Sequence, residues 1–242
     1  MQSTVESMNV IRSIFIIAIQ LTWLTNTLHA LPRTCRIVFP ERPQDAPKVA
    51  YLFTGSKSLS VTLPSMNFSE VIELPNGEIT IAMTPHEISD PKLLPPGAPL
   101  LKIPETVKDF YIIIVPDNKN PLFPVKMNLV NAGEEKFNPG ETLWYNFTEN
   151  RIFAKLGSND MSVAPNSRVI TKSPVSENSY YTARFAYQVL GKADIEPITE
   201  QSWWHDTKSR HLGFIVNSGG KLPKIYFFRD FRDPETATKE VK

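Results

Sequence analysis

The sequence predicts an all-β protein built from two tandem antiparallel β-sandwich domains, Ig-like or jelly-roll-like, that follow an N-terminal signal peptide. The 242-residue chain contains 21 prolines but only 10 glycines. Proline at this density interrupts helices and is tolerated in loops and at strand edges. Beyond residue 31, apolar and polar residues alternate repeatedly, and no stretch there shows a helical period. The 14 Phe and 7 Tyr residues add side chains that strands favour.

Period-two alternation predicts about a dozen short strands along the chain. The apolar run at 111–115 indicates a strand buried on both faces. The turn residues Pro75-Asn76-Gly77 predict a hairpin, and the proline-rich segment 89–105 predicts a long, stiff loop. The strands most clearly indicated lie at 35–39, 49–53, 59–63, 79–83, 111–115, 125–129, 152–156, 181–189, 212–216 and 225–228.

A weak internal similarity favours two domains rather than one large sandwich. Residues 51–54 (YLFT) resemble 145–148 (YNFT), and residues 74–79 resemble 164–169. Shared turn chemistry between unrelated strands is the alternative explanation. The predicted division is a signal peptide at 1–30, β-sandwich domains at 31–118 and 119–233, and a flexible tail at 234–242.

The first thirty residues have the order of an export signal. Arg12 precedes an apolar run at 13–24, and small residues then lead to a cleavage point after Ala30. The run is shorter than the roughly 20 residues needed to span a bilayer, so no stable membrane insertion is expected after cleavage. An uncleaved anchor and a buried helix are the alternatives. The expected location is periplasmic or secreted.

Charge and cysteine content exclude several classes. A net charge of +1 gives no field that would attract nucleic acid, so no nucleic-acid partner is expected. Cys35 is the only cysteine, which rules out an intramolecular disulfide. Because Cys35 alternates with Ile37 and Phe39, we predict that it is a buried strand residue.

No pattern in the chain indicates catalysis. There is no GxSxG elbow and no glycine loop for a phosphate, and the adjacent Glu134 and Glu135 are typical of a solvated turn. The sequence therefore predicts a protein that is not an enzyme and needs no cofactor.

The most unusual cluster is the stretch 202–211, SWWHDTKSRH. It predicts a strand that ends in Trp203 and Trp204, a polar turn, and a following strand. Neighbouring side chains of a strand face opposite sides, so one indole should enter the core and the other should reach the surface. An exposed indole stacks on sugars or anchors a partner protein. The alternative is that a neighbouring loop covers the outer indole.

His205, Asp206 and His211 complete the predicted ligand-binding set. Their residue types suit zinc or a similar ion, which allows a metal-dependent hydrolase as an alternative. Their spacing matches no established metal motif, so no metal site is predicted.

The stretch 227–233, FFRDFRD, alternates charge after its aromatic residues. Local ion pairs on the surface are the simpler interpretation, and a partner surface rich in arginine and aromatic residues is the other.

Together these features predict an exported, non-catalytic binding or assembly component of the cell envelope, with a protein or polysaccharide partner there. A carbohydrate-binding module that uses an exposed tryptophan is the first alternative, and the metal-dependent hydrolase is the second. Fold class alone fixes no activity.

Overall fold

The computed structural model describes residues 32–43, 46–117, 119–120, 122–133, 137–217 and 222–230. The predicted signal peptide and the predicted tail lie outside these residues. From Arg33 onward, the described residues form one compact unit. Within them, no helix has the length and apolar character needed to cross a bilayer.

The all-β prediction is confirmed, because the described residues contain sixteen strands and a single 3₁₀ turn at Pro91–Leu93. The first half of the chain contains β1 Arg33–Val38, β2 Val49–Phe53, β3 Ser58–Thr62, β4 Ile72–Leu74, β5 Ile79–Thr84, β6 Leu100–Ile103, β7 Asp109–Pro116 and β8 Val125–Asn131. The second half contains β9 Thr142–Asn146, β10 Arg151–Leu156, β11 Asn159–Val163, β12 Ser167–Thr171, β13 Ser179–Gln188, β14 Ile195–His205, β15 Arg210–Val216 and β16 Lys224–Asp230.

The strands form four four-stranded sheets, and the second half repeats the strand order of the first. The orders β3-β2-β5-β6 and β4-β1-β7-β8 recur as β11-β10-β13-β14 and β12-β9-β15-β16. We call these outer sheet I, inner sheet I, outer sheet II and inner sheet II. The short sequence matches that suggested a repeat do not lie on corresponding strands, since residues 51–54 include the end of β2 whereas 145–148 include the end of β9.

Each inner sheet contains one parallel pair, β1 with β7 and β9 with β15. The prediction of purely antiparallel sheets is therefore wrong. The cause is that β6 and β14 lie in the outer sheets while the next strand lies in an inner sheet. The chain thus enters the inner sheet beside its first strand and runs in the same direction.

Three apolar clusters lie between successive sheets. The first joins both sheets of the first half and includes Ile37, Leu52 and Ile112. The third joins both sheets of the second half around Trp144. The second lies between the two inner sheets, where Tyr111, Ile113 and Val38 meet Leu143, Leu212 and Phe214. Both faces of β7 are consequently buried, as the run 111–115 predicted, and Cys35 is buried as predicted.

A buried charge network also links the inner sheets. Asp230 on β16 accepts hydrogen bonds from Arg36 on β1 and from Tyr111 on β7, both at 2.5 Å. Arg210 on β15 lies 3.3 Å from Asp230 and 3.3 Å from Asp109. The Asp230 side chain is fully buried. The two halves are therefore joined by paired charges as well as by apolar contact.

The predicted boundary between residues 118 and 119 remains a prediction about domains. Strand pairing places β8 with β7 in inner sheet I. The last strand that pairs within the sheets of the first half is consequently β8, and the first strand that pairs within the sheets of the second half is β9.

The turn at Pro75-Asn76-Gly77 forms, with Gly77 at a φ of +89°, but the hairpin prediction is wrong. β4 pairs with β1 and β5 pairs with β2, so this turn carries the chain from one sheet to the other. The predicted loop 89–105 also contains β6, whose four residues pair with β5.

Candidate functional site

The five predicted ligand-binding residues lie where the chain passes from outer sheet II to inner sheet II. Trp203, Trp204 and His205 end β14, Asp206 begins the turn, and His211 lies on β15. β14 pairs with β13, whereas β15 pairs with β9 and β16. The two strands flanking this turn therefore belong to different sheets, and the five side chains have different surroundings.

Trp203 faces the core between the sheets of the second half. Its ring centroid lies 6.2 Å from that of Trp144, nearly parallel to it, and 4.8 Å from that of Phe227. Its indole Nε1 donates a hydrogen bond to Oε1 of Gln201 at 3.0 Å. Trp203 therefore packs against the apolar core beneath outer sheet II.

Trp204 faces outward, as the strand alternation requires, and is 46 % exposed. The ring of Tyr180, which is 68 % exposed, contacts it edge-on with centroids 5.1 Å apart. The prediction of one inner and one outer tryptophan is confirmed. The two exposed rings form an aromatic pair at one end of the outer face of outer sheet II.

His205 and His211 stack on each other inside the protein. Their ring centroids are 4.7 Å apart, and both residues are buried. His205 Nε2 lies 2.8 Å from the hydroxyl of Ser173. The Nδ1 atoms of both histidines are buried and lack a hydrogen-bond partner with acceptable geometry among the described residues.

This environment favours neutral imidazoles. The pKa of His211 is lowered to about 4, first by burial and then by the adjacent His205, while the carboxylate of Asp206 acts in the opposite direction. Burial likewise lowers the pKa of His205, against smaller opposing effects of Asp206 and the Gly140 backbone. Protonation of either imidazole would cost free energy, because a buried positive charge is not solvated by water.

Asp206 closes the turn that follows β14. It accepts hydrogen bonds from the backbone N–H of Lys208 at 3.0 Å and the hydroxyl of Ser209 at 2.8 Å. Arg229 lies 3.3 Å away. Burial raises the pKa of Asp206, but these hydrogen bonds and Arg229 outweigh it, so the pKa is lowered overall. The carboxylate is thus engaged in holding the turn.

Across the described part of the chain, no group of three or more His, Cys, Asp or Glu side chains is placed to hold one metal ion. Cys35 lies elsewhere, in inner sheet I, and burial followed by the charge of Asp109 raises the pKa of its thiol to about 12. Such a thiol is protonated at neutral pH and is a weak nucleophile.

The outer face of outer sheet II carries a feature that the sequence reasoning missed. Ser162, Phe153 and Ala186 lie side by side on β11, β10 and β13, and Pro197 follows on β14. Phe153 and Ala186 are only partly buried. They line an open depression of about 540 Å³. The alternation in residues 181–189 already indicated which side chains of β13 face outward, but it could not show that no segment among the described residues covers them.

The charged residues of this depression neutralise one another. Arg184 pairs with Glu200 across β13 and β14 at 2.9 Å, and Lys155 pairs with Asp160 across β10 and β11 at 3.1 Å. All four side chains are substantially exposed. The face therefore has an apolar row, two balanced ion pairs and an aromatic pair, all on one side of one sheet.

Outer sheet I has a row of the same composition, but it is covered. Ser58, Phe53 and Ala82 lie side by side on β3, β2 and β5, and Phe53 and Ala82 are 3 % and 2 % exposed. The segment between β5 and β6 packs over them through Ile88, Leu94 and Ala98. The corresponding connection between β13 and β14 spans only residues 189–194, so it leaves its sheet open.

No known protein-family model matches the chain, and no curated protein matches it significantly.

Proposed function

We propose that the protein is an exported, non-catalytic binding component of the cell envelope, that each half is a β-sandwich, and that its binding surface is the outer face of outer sheet II. The sandwich interpretation is supported by the apolar cluster that each outer sheet shares with its inner sheet. Export is supported by the order of charged, apolar and small residues in the first thirty positions.

The observation that carries the proposal is that a segment of the chain covers the outer face of outer sheet I, whereas the outer face of outer sheet II is partly exposed. The partly exposed row of Phe153 and Ala186, continued by the exposed rings of Tyr180 and Trp204, is apolar area that a soluble protein usually buries. A partly exposed aromatic pair is also the kind of anchor found at the centre of interfaces. The two histidines that suggested chemistry are instead sealed inside the core.

The surface assignment can be tested by site-specific photo-crosslinking in the producing cells. A benzophenone side chain at Thr182, which faces outward on β13, should give discrete higher-mass adducts. The same group at Lys126, exposed on β8, is the matched control and should give none. Absence of adducts at Thr182, or equal adducts at both positions, would contradict the proposed surface.

A polysaccharide-binding module is the second candidate, and the exposed indole of Trp204 favours it because flat indoles stack on sugar rings. Retention of the purified protein on insoluble cell-wall polysaccharides would support it if Trp204→Ala abolished the retention and Trp203→Phe did not. No retention of the wild-type protein rules this candidate out.

Export has its own test, which is the N-terminal mass of the protein recovered from the producing cells. We expect the chain to begin at Leu31 in the envelope or medium fraction. A full-length chain recovered from the cytosol would overturn the assignment.

A further inference from the structure

We propose that the occupant of the outer face of outer sheet II is an extended, proline-containing peptide segment of a partner protein. This inference rests on the proposed function and names the ligand class of the same surface. Its basis is the covered face of outer sheet I, where the protein itself shows what binds to a row of this composition.

In the first half, the covering segment runs from residue 85 to residue 99 and includes five of the chain's prolines. It is attached in two ways. Its apolar side chains Ile88, Leu94 and Ala98 pack on Phe53 and Ala82.

Its backbone is held by one serine of the sheet. The hydroxyl of Ser58 donates to the carbonyl oxygen of Ile88 at 2.7 Å and accepts from the N–H of Ile88 at 3.0 Å. A single side chain thus satisfies both polar groups of one residue in the covering segment. This contact fixes the residue that packs beside Phe53.

The second half presents the same three residue types on the corresponding strands, and its described connection between β13 and β14 is too short to form such a covering segment. Ser162 is exposed beside Phe153, which in turn lies beside Ala186. With this order of residues, the hydroxyl can form hydrogen bonds with the backbone N–H and C=O of one peptide residue, and the aromatic ring and the small side chain can pack against its aliphatic side chain. The face is therefore suited to an extended segment like 85–99 supplied by another chain.

The rest of the face fits such a segment. From Ala186 to Tyr180, β13 covers seven residues, and the six steps between them span about 20 Å at the rise of an extended strand. An extended peptide of similar length would reach from the depression to the pair formed by Tyr180 and Trp204. Exposed aromatic rings are the surfaces on which proline-rich segments dock. The ion pairs between, Arg184 with Glu200 and Lys155 with Asp160, add polar contacts without favouring a charged ligand.

The chain supplies its own probe for this inference, a synthetic peptide with the sequence of residues 86–99, HEISDPKLLPPGAP. Binding of the fluorescein-labelled peptide to the mature protein is measured by fluorescence anisotropy. We expect saturable binding with a dissociation constant of about 10–100 µM, typical of a short apolar segment. Phe153→Ala and Ala186→Arg should each weaken it by about tenfold or more, because one removes the central contact and the other fills the depression.

The matched control is Leu100→Ala, which shortens an exposed aliphatic side chain in the row of outer sheet I and should leave the affinity unchanged. Far-ultraviolet circular dichroism of each variant confirms that it is folded. A peptide in which Ile88, Leu94 and Ala98 are replaced by serine should not bind.

The inference is overturned if the peptide fails to bind at millimolar concentration, or if Phe153→Ala and Leu100→Ala bind equally well. It is also overturned if light scattering shows that a second copy of this chain covers the face, or if polysaccharide binds there in place of the peptide. Crosslinks at Thr182 without peptide binding would leave the proposed surface standing and reject only this occupant. Absence of both would reject the two proposals together.

Discussion

The two halves of the protein have the same strand order, but the outer face of outer sheet I is covered whereas the outer face of outer sheet II is partly exposed. In the first half, a long segment between β5 and β6 buries Phe53 under aliphatic side chains. In the second half, β13 and β14 are longer, their connection is short, and Phe153 remains accessible. The comparison teaches that one connection between strands decides whether a sheet face is core or surface. Strand order alone therefore does not indicate where a binding surface lies.

The inner sheets differ in another way, at the parallel pair. In inner sheet I, Ile37 lies opposite Ile112, whereas in inner sheet II Trp144 lies opposite Gly213. The second half thus fills its core with one very large and one minimal residue. A Cβ atom on Gly213 would lie 2.1 Å from the Trp144 ring, so this packing depends on glycine at that position.

The largest effect should come from breaking the link between the halves. Asp230→Asn removes the charge that Arg36 and Arg210 share, and we expect it to lower the free energy of unfolding by about 3–5 kcal/mol, as for other buried pairs. Urea denaturation measures this loss. The control is Lys102→Ala in the exposed pair with Glu78, which should cost under about 1 kcal/mol. Similar losses in both variants would show that the network does not join the halves.

The comparison of outer faces is sharpened by the same substitution on each side. Phe53→Ala should lower the free energy of unfolding by about 3–5 kcal/mol, because it leaves a cavity beneath the covering segment. Phe153→Ala should cost about 1 kcal/mol, since its ring is partly solvated already. Denaturant midpoints of the two variants provide the measurement. Equal costs would mean that the second face is covered as well as the first.

Packing in the inner sheets gives the next effect. Gly213→Ala should destabilise the protein by about 3 kcal/mol, because the indole of Trp144 must shift within a close-packed core. Ile112→Val in the corresponding position of the first half should cost about 1 kcal/mol. If thermal unfolding of Gly213→Ala matches the wild type, the close contact with Trp144 is not present in solution.

Acid should affect the second half before the first. The folded pKa of His211, about 4, lies below its ordinary value of 6.5. The unfolded chain therefore binds this proton more readily, and the contribution to stability is complete above pH 6.5 and is lost as the pH falls towards 4. We expect a loss of about 3 kcal/mol over this range.

Hydrogen exchange can locate that loss. Between pH 7 and pH 4.5, amides of β14 and β15 should lose protection more than those of β6 and β7, whose described surroundings contain no buried histidine. His211→Gln should flatten the pH dependence. Uniform loss of protection along the chain would indicate that the histidine pair is not responsible.

Residues that alternate along a strand were predictable because their burial follows directly from strand geometry. Cys35 and the two tryptophans are examples, and the uninterrupted apolar run 111–115 indicated a strand buried on both faces in the same way. The alternation of apolar and polar positions was sufficient to identify the class and most strands. It did not identify β4, β6, β9, β11 or β12, and β4 and β6, with three and four residues, are too short to show a period.

Features that depend on contacts between distant parts of the chain were not predictable. Asp230 was interpreted as part of a local charge pattern, but its partners Arg36 and Tyr111 lie 194 and 119 positions away. Likewise, Phe53 and Phe153 each follow an aliphatic residue on the second strand of their half, and the course of the segment 85–99 is what buries the first of them. Sequence periodicity indicates on which face of a sheet a side chain lies, but it does not indicate which other segments pack against that face.

The parallel pairing of β1 with β7 has a consequence for the order in which the protein can fold. Arg33, at the start of β1, bonds to the carbonyl of Val107, 74 positions later. During synthesis from the N terminus, β1 therefore stays unpaired on the edge that β7 will occupy until β7 has been synthesised. In the same way, β9 stays unpaired with β15 until β15 has been synthesised. Such long-range closure slows folding and leaves apolar strands open to wrong partners meanwhile. We expect slow refolding and a need for a holding chaperone during synthesis.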